Sequence, residues 1–528
     1  MTEPPEIRQA RERIARVYDP ELLRSAGHRL ADQLANYLAA AEACRGAVLP
    51  WREPAENVRD ARAMLAGRVG GVERSERAGW IERSGGSTPV ERSEPHQERT
   101  ALVKRFSQVV ATMLERGHHL HDPRYLGHQV PAPLPLAGLM DAVGSVTNQV
   151  MATYEMGPWA TAAEWAMVQE LGERVGWSAG QFAGLATHGG SLANLTGLLV
   201  ARNVALGDAW RRGFGHPGPP PALVVHADAH YSVARAAGIL GLGTDQVVRV
   251  GLDARRRMDV GQLDATLGTL RAAGRPIMAV VACACSTPVG AFDPLLDVAE
   301  VCCRHGVWLH VDAAHGGAAC LSPRYRRLVA GLDCADSLVW DAHKMLFVPG
   351  LCAFVLYRNA AHRFQAFQQD APYLFDPAAP GLAEFDSGLR TLECTKRAAA
   401  FGLWGLWTLC GAQLFADLVD VTFSMGRLFY EKLAAAPDFV ALHEPECNIV
   451  VFRHVPAALA GAGPDVLGRF QLELRRRLIE SGAFYIVSTK LDGQGALRVT
   501  IINPLTTPEH LDALLDALRA AGQEVARD

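Results

Sequence analysis

The sequence lacks a long apolar run and an excess of either charge. Its 528 residues include 52 Lys and Arg against 56 Asp and Glu, so the formal net charge of -4 shows no basic excess for binding nucleic acid or a membrane surface. No run approaches the roughly 18 apolar residues that indicate a membrane span. The residues from Met1 to Pro20 are polar and charged, unlike a signal peptide, so we expect a cytoplasmic protein.

The 11 cysteines do not form a disulfide or zinc scaffold. None of them lies in a CxxC pair at zinc-site spacing, so we expect reduced and mostly buried thiols. His118, His119 and His121 resemble a group of metal ligands, but the sequence has no second ligand cluster to complement them. We therefore predict no metal site and interpret these histidines as a solvated helix end or a pocket rim.

A hydrophobic content of 49% is enough for a large core and more than one domain. We predict an N-terminal helical arm over 1–120, a large α/β domain over 121–395 and a small C-terminal α+β domain over 396–528. The arm contains an amphipathic helix over 21–41, which packs on the body or on a second subunit. At about 67–98, abundant Gly, Ser and charged residues predict a flexible insertion, either an inert loop or a regulatory tether.

Short apolar runs alternate with helical segments from about 186 to 357. This alternation predicts a mainly parallel sheet with helices on both faces. Ligands bind such sheets at the carboxyl ends of the strands, so residues just after the strands are candidate site residues. The predicted strands are 222–226, 276–281, 307–312, 337–340 and 352–357 in the large domain, and 448–452 and 497–502 in the small domain.

Lys344 follows a predicted strand, in the segment Trp340-Asp-Ala-His-Lys-Met345. Burial lowers the pKa of a lysine and favours the neutral amine that attacks an aldehyde. Lys344 is therefore either a surface residue or the Schiff-base residue of an aldehyde cofactor. The adjacent His343 is a candidate for contact with a cofactor phosphate or for proton transfer.

Asp312 ends another apolar strand and is followed by small residues. A carboxylate at this place can pair with a protonated pyridine nitrogen and so keep the ring an electron sink. Ala314 lacks bulk and can lie flat under such a ring. Taken alone, Asp312 is equally well explained as a helix cap or a metal ligand.

Gly189, Gly190 and Ser191 precede an apolar helix, which predicts a phosphate site at its N-terminus. A hydrolase nucleophile elbow is the alternative, but the hydrolase elements lie apart in sequence, whereas here they would overlap. His230 follows the strand 222–226 and is placed to stack on the pyridine face opposite Ala314. These elements together predict pyridoxal 5′-phosphate (PLP). Ser286 and Thr287 are further candidates for its phenolic oxygen or for polar substrate groups.

The combination resembles the group II PLP-dependent amino-acid decarboxylases of fold type I. That family includes glutamate, cysteine-sulfinate, 2,4-diaminobutyrate and aromatic L-amino-acid decarboxylases. The resemblance implies a seven-stranded type of sheet in the large domain and a homodimer with active sites at its interface. The segments that carry it are 187–191, His230, 311–315, 341–345 and 497–504, within a total span of about 19–521.

The resemblance also implies roles for individual residues. Lys344 would form the Schiff base, Asp312 would pair with the ring nitrogen and His230 would stack on the ring. The implied phosphate contacts are Gly190, Ser191 and His343. Arg498 matches an arginine that binds the substrate α-carboxylate, with a domain-packing ion pair as the alternative, and the implied pocket residues His128 and Gln129 favour a polar or acidic side chain.

The implied reaction converts a small L-amino acid to its amine through an external aldimine and a quinonoid. The family's mobile loop usually carries a tyrosine that protonates the carbanion. The matching loop at 375–388 contains no tyrosine; Tyr373 lies at its base and Gly381 near the matching position. A decarboxylative oxidative deaminase that forms an aldehyde is therefore the main alternative. An aminotransferase and a PLP-binding regulatory or carrier protein are further alternatives.

Overall fold

The computed structural model describes residues 19–65, 95–214, 218–367 and 384–525. The predicted flexible insertion at 67–98 lies outside the described residues as far as position 94. Its last positions, 95–98, belong to the helix Pro95–Arg116, so the predicted insertion extends too far towards the C-terminus. Most of the tyrosine-free loop at 375–388, with Tyr373 and Gly381, also lies outside the described residues.

The described chain contains thirteen α-helices and thirteen strands, numbered here in chain order. The helices are Pro20–Glu42 (α1), Pro54–Leu65 (α2), Pro95–Arg116 (α3), Pro135–Val146 (α4), Pro158–Val175 (α5), Gly190–Ala205 (α6), Ala209–Arg212 (α7), Tyr231–Ile239 (α8), Val260–Ala272 (α9), Leu295–Arg304 (α10), Phe401–Ala435 (α11), Pro464–Glu480 (α12) and Pro508–Val525 (α13). The strands are Val150–Met151 (β1), Ala183–Thr187 (β2), Ala222–His226 (β3), Val247–Val250 (β4), Ile277–Cys283 (β5), Leu309–Asp312 (β6), Ser337–Asp341 (β7), Ala353–Tyr357 (β8), Lys396–Arg397 (β9), Phe439–Ala441 (β10), Ile449–His454 (β11), Val487–Leu491 (β12) and Gln494–Thr500 (β13).

The described residues divide into two compact units, and the smaller one contains those up to Tyr125 together with Arg477–Tyr485. Its first helix, α1, begins where Asp19 accepts a hydrogen bond from the Glu21 amide, with a proline at the first helical position. Helix α1 packs along α3, and the side chain of Gln33 donates to the Ser107 carbonyl at 2.8 Å. The amphipathic helix predicted over 21–41 is thus observed.

The larger unit is built on a mixed seven-stranded sheet in the order β2-β8-β7-β6-β5-β3-β4. Strands β7, β6, β5, β3 and β4 run parallel, and β8 is antiparallel to both of its neighbours, so β2 runs with the others. Strands β2, β3, β7 and β8 are buried along their whole length, as expected for strands covered on both faces. The predicted mainly parallel sheet is confirmed, and six strands end at one edge.

A second sheet of four antiparallel strands, in the order β10-β11-β13-β12, lies in the C-terminal part of the same unit. Helix α11 precedes it and is long and apolar enough to cross a membrane by length and composition, although the sequence pattern indicated no such run. Gly411 interrupts this helix with φ 69° and ψ 178°. Beyond that break, Phe415, Val419 and Phe423 are buried, as in the core helix of a domain.

Candidate active site

The carboxyl edge of the seven-stranded sheet holds a cavity of about 260 Å³. It lies where β2, β3, β5, β6 and β7 end, the position at which sheets of this kind bind ligands. Ten of the twelve site residues predicted from the sequence line it: Gln129, Gly190, Ser191, His230, Ser286, Thr287, Asp312, Ala314, His343 and Lys344. The other two, His128 and Arg498, do not line the cavity itself.

Lys344 is paired with a carboxylate that the sequence interpretation gave no role. Its Nζ lies 3.0 Å from Oδ2 of Asp341, the last residue of β7. Burial acts to lower the pKa of Lys344, but the charges of Asp341 and Asp312 outweigh it, and the pKa is raised above that of an ordinary lysine. The expectation that burial favours a neutral lysine is therefore not met, because the charges of the two acids raise the pKa of Lys344 and favour its charged form.

Asp312 is held by hydrogen bonds to both of its carboxylate oxygens. Oδ2 accepts from the side-chain amide of Asn194 at 3.1 Å, and Oδ1 accepts from the backbone amide of Ala314 at 3.2 Å. Donors of this kind stabilise the ionised carboxylate and fix its direction. Asp312 therefore presents a negative charge of fixed orientation to the cavity.

Asn194 is itself oriented by a buried chain of hydrogen bonds. The Trp308 indole donates to the Ser337 hydroxyl at 2.9 Å, and that hydroxyl lies 2.8 Å from Nδ1 of His310. Nε2 of His310 lies 2.9 Å from the Asn194 carbonyl oxygen, and burial lowers the pKa of His310 to about 4. A neutral His310 with its proton on Nε2 satisfies every member of the chain and directs the Asn194 amide at Asp312.

His230 lies at the start of α8 and faces the cavity. Its Nδ1 accepts from the Ser232 amide at 3.3 Å and lies 2.8 Å from the Ser232 hydroxyl, whose oxygen accepts from Asn194. Burial lowers the pKa of His230, an effect that Asp312 partly opposes. The arrangement favours a neutral imidazole with its proton on Nε2, connected through Ser232 and Asn194 to Asp312.

The predicted phosphate cradle is the beginning of α6. Gly189 has φ 109°, a conformation that favours glycine, and the first backbone N–H groups of a helix have no partner within it. A Cβ on Gly190 would lie 2.6 Å from the Asp341 carboxylate, so a side chain here would close the cradle. His343 faces the same space, with Nδ1 2.7 Å from the Cys352 carbonyl. These features fit a phosphate.

Arg498, on β13, lies behind Thr287 and donates to its carbonyl at 2.6 Å. It is 8% exposed, its Nε has no hydrogen-bond partner, and no described carboxylate forms an ion pair with it. Burial lowers the pKa of Arg498, and burial followed by the Arg498 charge lowers the pKa of His128. The domain-packing ion pair considered for Arg498 is therefore not seen among the described residues.

Several cavity residues received no role from the sequence. Asp341 lies in the segment quoted for Lys344, at the end of a predicted strand, and Asn194 lies just after the predicted phosphate site, near the start of its helix. These two places were the available signal. His315 lies three residues after Asp312, and its Nε2 donates to the Asn448 side-chain oxygen at 2.9 Å, while burial lowers the pKa of His315 to about 3. The remaining ones are His188, Cys283, Cys285 and Leu351, whereas Gly189, which also lines the cavity, belongs to the predicted phosphate site.

The predictions for the cysteines and for the histidines at 118–121 are confirmed in part. All 11 cysteines are free thiols, and six of them are buried. His118 follows the end of α3 and packs edge-on against Tyr125 and Tyr485, with ring centroids 4.9 and 4.2 Å apart. His118 thus lies at a helix end, as predicted, but it packs against aromatic rings within the smaller unit instead of facing solvent.

A lysine, an acid aimed into the cavity, an imidazole and an anion cradle are the groups that PLP requires. In agreement, residues 87–455 match the pyridoxal-dependent decarboxylase conserved domain. Human cysteine sulfinic acid decarboxylase is 32% identical over 438 residues, covering 81% of this chain and 87% of that protein. The acidic amino acid decarboxylase GADL1 of Bos taurus is 30% identical, with 82% of each chain covered. The crystal structure of mouse CSAD superposes with a TM-score of 0.81 at 27% identity, covering 96% of this chain and 100% of that one.

Proposed function

The chain belongs to the pyridoxal-dependent decarboxylase family, with the fold type I architecture and PLP as cofactor, and we propose that it decarboxylates an L-amino acid with an acidic side chain. As a member it is a PLP-dependent amino-acid decarboxylase, a carbon–carbon lyase. The observation that supports an amino-acid substrate is Arg498, a buried guanidinium with no carboxylate partner among the described residues, beside the cavity wall at Thr287, where it can receive the α-carboxylate. The acidic side chain is favoured by Gln129 in the cavity lining, by His128 near Arg498, and by the substrates that the relatives' names give.

When bound, PLP supplies an electron sink for the pair of electrons left when carbon dioxide departs. The chain's own groups prepare that site. Lys344 is the amine for covalent attachment, Asp312 maintains negative charge at a fixed position, and the start of α6 binds the phosphate. His230 contributes a flat neutral ring to the cavity, and its Nε2 proton is available for transfer.

Arg498 and His128 support a substrate that carries negative charge. The two side chains lie close enough for the arginine charge to lower the pKa of His128, and Gln129 lines the adjoining cavity. A carboxylate or sulfinate would supply the anionic partner that Arg498 lacks. Two relatives are, by their names, decarboxylases of cysteine sulfinic acid and of acidic amino acids.

The test is a screen of purified holoenzyme against single amino acids, with released carbon dioxide and product mass measured together. We expect cysteine sulfinate, aspartate or glutamate to be converted to the amine, faster than 2,4-diaminobutyrate or any aromatic amino acid. Turnover of aromatic amino acids alone would refute the acidic assignment. No carbon dioxide from any amino acid would refute the decarboxylation itself.

Replacing Arg498 with glutamine should raise KM for the preferred substrate on the order of 10- to 100-fold, because a hydrogen bond to a charged group contributes about 1.5–3 kcal/mol. Steady-state kinetics with PLP in excess measure this change. Arg453→Gln, an arginine on β11 of the same small sheet that bonds to Gly495 and Gln494, should leave KM close to that of the parent enzyme. Equal effects of the two substitutions would argue against Arg498 as the substrate anchor.

The loop without a tyrosine supports a second candidate, oxidative deamination coupled to decarboxylation. Its products are an aldehyde, ammonia and peroxide, with oxygen as co-substrate. An oxygen electrode in the same substrate screen separates the two reactions, since the decarboxylase consumes none. Oxygen uptake equal to carbon dioxide release would favour this second candidate.

We also propose a cytoplasmic homodimer. Helix α4 carries four exposed apolar side chains on one face, Leu136, Leu139, Val143 and Val146, which are 48–66% exposed. An apolar stripe of this kind is typical of an association surface. Sedimentation velocity should give a dimer, and Leu139→Glu should shift it towards monomer. A parent enzyme that sediments as a monomer would contradict the proposal.

A further inference from the structure

Two cysteines without a role in the proposed chemistry lie in contact at the wall of the cavity. The sulfur atoms of Cys285 and Cys447 are 3.6 Å apart, and both side chains are buried. Cys285 lines the cavity, whereas Cys447 lies behind it, where its thiol donates to the Gly290 carbonyl at 3.6 Å. The pair therefore consists of one thiol that a small solute in the cavity can reach and a second thiol in contact with the first.

The backbone on both sides holds the two sulfur atoms together. Cys285 follows β5 and has φ 80°, a conformation that is uncommon outside glycine, in a turn closed by the bridge between Ala284 and Phe292. Opposite this turn, Cys447 lies two residues before β11, and a Cβ on Gly290 would lie 2.6 Å from its sulfur. The glycine leaves the room that the Cys447 thiol occupies, and the contact joins a cavity-lining turn to the four-stranded sheet.

The surroundings of Cys285 decide how readily it reacts, because the thiolate is the reactive form of a cysteine. Burial raises the pKa of the Cys285 thiol well above its usual range, as does the contact with Cys447, and the nearby charge of Lys344 acts in the opposite direction. The charge of Arg498 also lies within electrostatic reach of Cys285. At rest the thiol keeps its proton, and the small fraction of thiolate that forms has two cations nearby. We therefore expect a slow reaction with a small oxidant that enters the cavity.

We propose that Cys285 and Cys447 form a site of reversible oxidation, in which hydrogen peroxide converts the two thiols to a disulfide that lowers activity. In the first step the Cys285 sulfur attacks one peroxide oxygen, which gives a sulfenic acid and one water. The Cys447 sulfur then attacks the sulfur of that sulfenic acid, and a second water leaves. Two thiols and one peroxide thus give one disulfide and two waters. The two sulfurs together lose two electrons, and the peroxide gains them.

The second step needs only a short movement, and that movement changes the cavity wall. A disulfide has an S–S distance of about 2.05 Å, so the two sulfur atoms must approach by roughly 1.5 Å. Cys285 is followed by Ser286 and Thr287, which line the cavity, and the Thr287 carbonyl accepts the hydrogen bond from Arg498. A displacement of about 1 Å in a site can cost on the order of 100-fold in rate. The loss of activity rests on the proposed function, whereas formation of the disulfide does not.

Peptide mass mapping tests the site in holoenzyme that is treated with hydrogen peroxide, blocked with iodoacetamide and digested without reductant. We expect a pair of peptides joined through Cys285 and Cys447, together with a loss of activity on the order of 10- to 100-fold, both reversed by dithiothreitol. Cys447→Ser should form no disulfide and should accumulate a sulfenic acid on Cys285, detected as a dimedone adduct. Cys302→Ser, which removes a buried thiol on α10, should form the disulfide as the parent does.

The site is overturned by a digest in which peroxide has oxidised the exposed Cys303 and Cys410 but has not joined Cys285 to Cys447. A disulfide that forms while activity stays unchanged would overturn its inhibitory effect. The absence of a dimedone adduct on Cys285 in Cys447→Ser would overturn the order of the two steps. The peptide map needs no substrate, so a failure of the proposed function is read separately. The map of the parent holoenzyme also decides the site if Cys447→Ser does not fold.

Discussion

Replacing Lys344 with alanine should abolish covalent attachment of PLP and lower kcat on the order of 10³-fold or more, the scale seen when a catalytic nucleophile is lost. Lys344 is the lysine that lines the cavity, between Asp341 and Asp312. The cradle at the start of α6 is unchanged in this variant, so PLP should still bind without a covalent bond. Reduction with borohydride followed by intact mass measurement should detect the cofactor adduct in the parent enzyme and none in the variant.

The matched control is Lys490→Ala, an exposed lysine on β12 of the small sheet. This change should leave both the adduct and the activity as in the parent. A borohydride-stable adduct that persists in Lys344→Ala would place the attachment site on another lysine. Activity retained by the variant with no adduct present would show that covalent attachment is dispensable, contrary to the proposed chemistry.

The sheet was largely predictable because its strands are continuous buried runs. Strands β3, β5, β7 and β8 were placed within one or two residues, since Leu, Val and Ala at covered positions leave a clear signal between polar turns. The predicted strands did not include β2 or β4. Strand β2 contains Gly184 and two alanines, and β4 has only four residues and includes the exposed Arg249, so both give a weaker signal. The strand order and the reversed direction of β8 depend on tertiary contacts, and the hydrophobic pattern of the sequence carries no information about them.

A site residue could be predicted where the chemistry requires one type of side chain just after a strand. Lys344, Asp312 and the glycines at 189–190 met that condition, and they meet at one edge of the sheet because its strands are mainly parallel. The raised pKa of Lys344 was not predictable in this way, because it depends on the charges of Asp341 and Asp312, which end two different strands. The same holds for Arg498, whose lack of a carboxylate partner is a property of the folded surroundings.

Replacing Asp312 with asparagine should lower kcat on the order of 10³-fold, because losing one partner of a buried charge pair costs about 4 kcal/mol. The amide has nearly the same shape but supplies no charge to hold a proton on the ring nitrogen. The absorbance of bound PLP should change as well, because the electronic state of the ring depends on that proton. Single-turnover rates and spectra of the reconstituted variant measure both effects.

Asn194→Ala separates the charge of Asp312 from its orientation. This variant keeps the carboxylate but removes the donor at 3.1 Å, and it also breaks the link to His310 and Ser232. We expect a smaller loss, about 10-fold, the effect of one hydrogen bond to a charged group. Adding Asn194→Ala to Asp312→Asn should then cost little more, since the amide acts through the carboxylate. If the effects of the two substitutions on kcat simply multiply, Asn194 contributes by a route independent of Asp312. An unchanged absorbance spectrum in Asp312→Asn would show that Asp312 does not pair with the ring nitrogen.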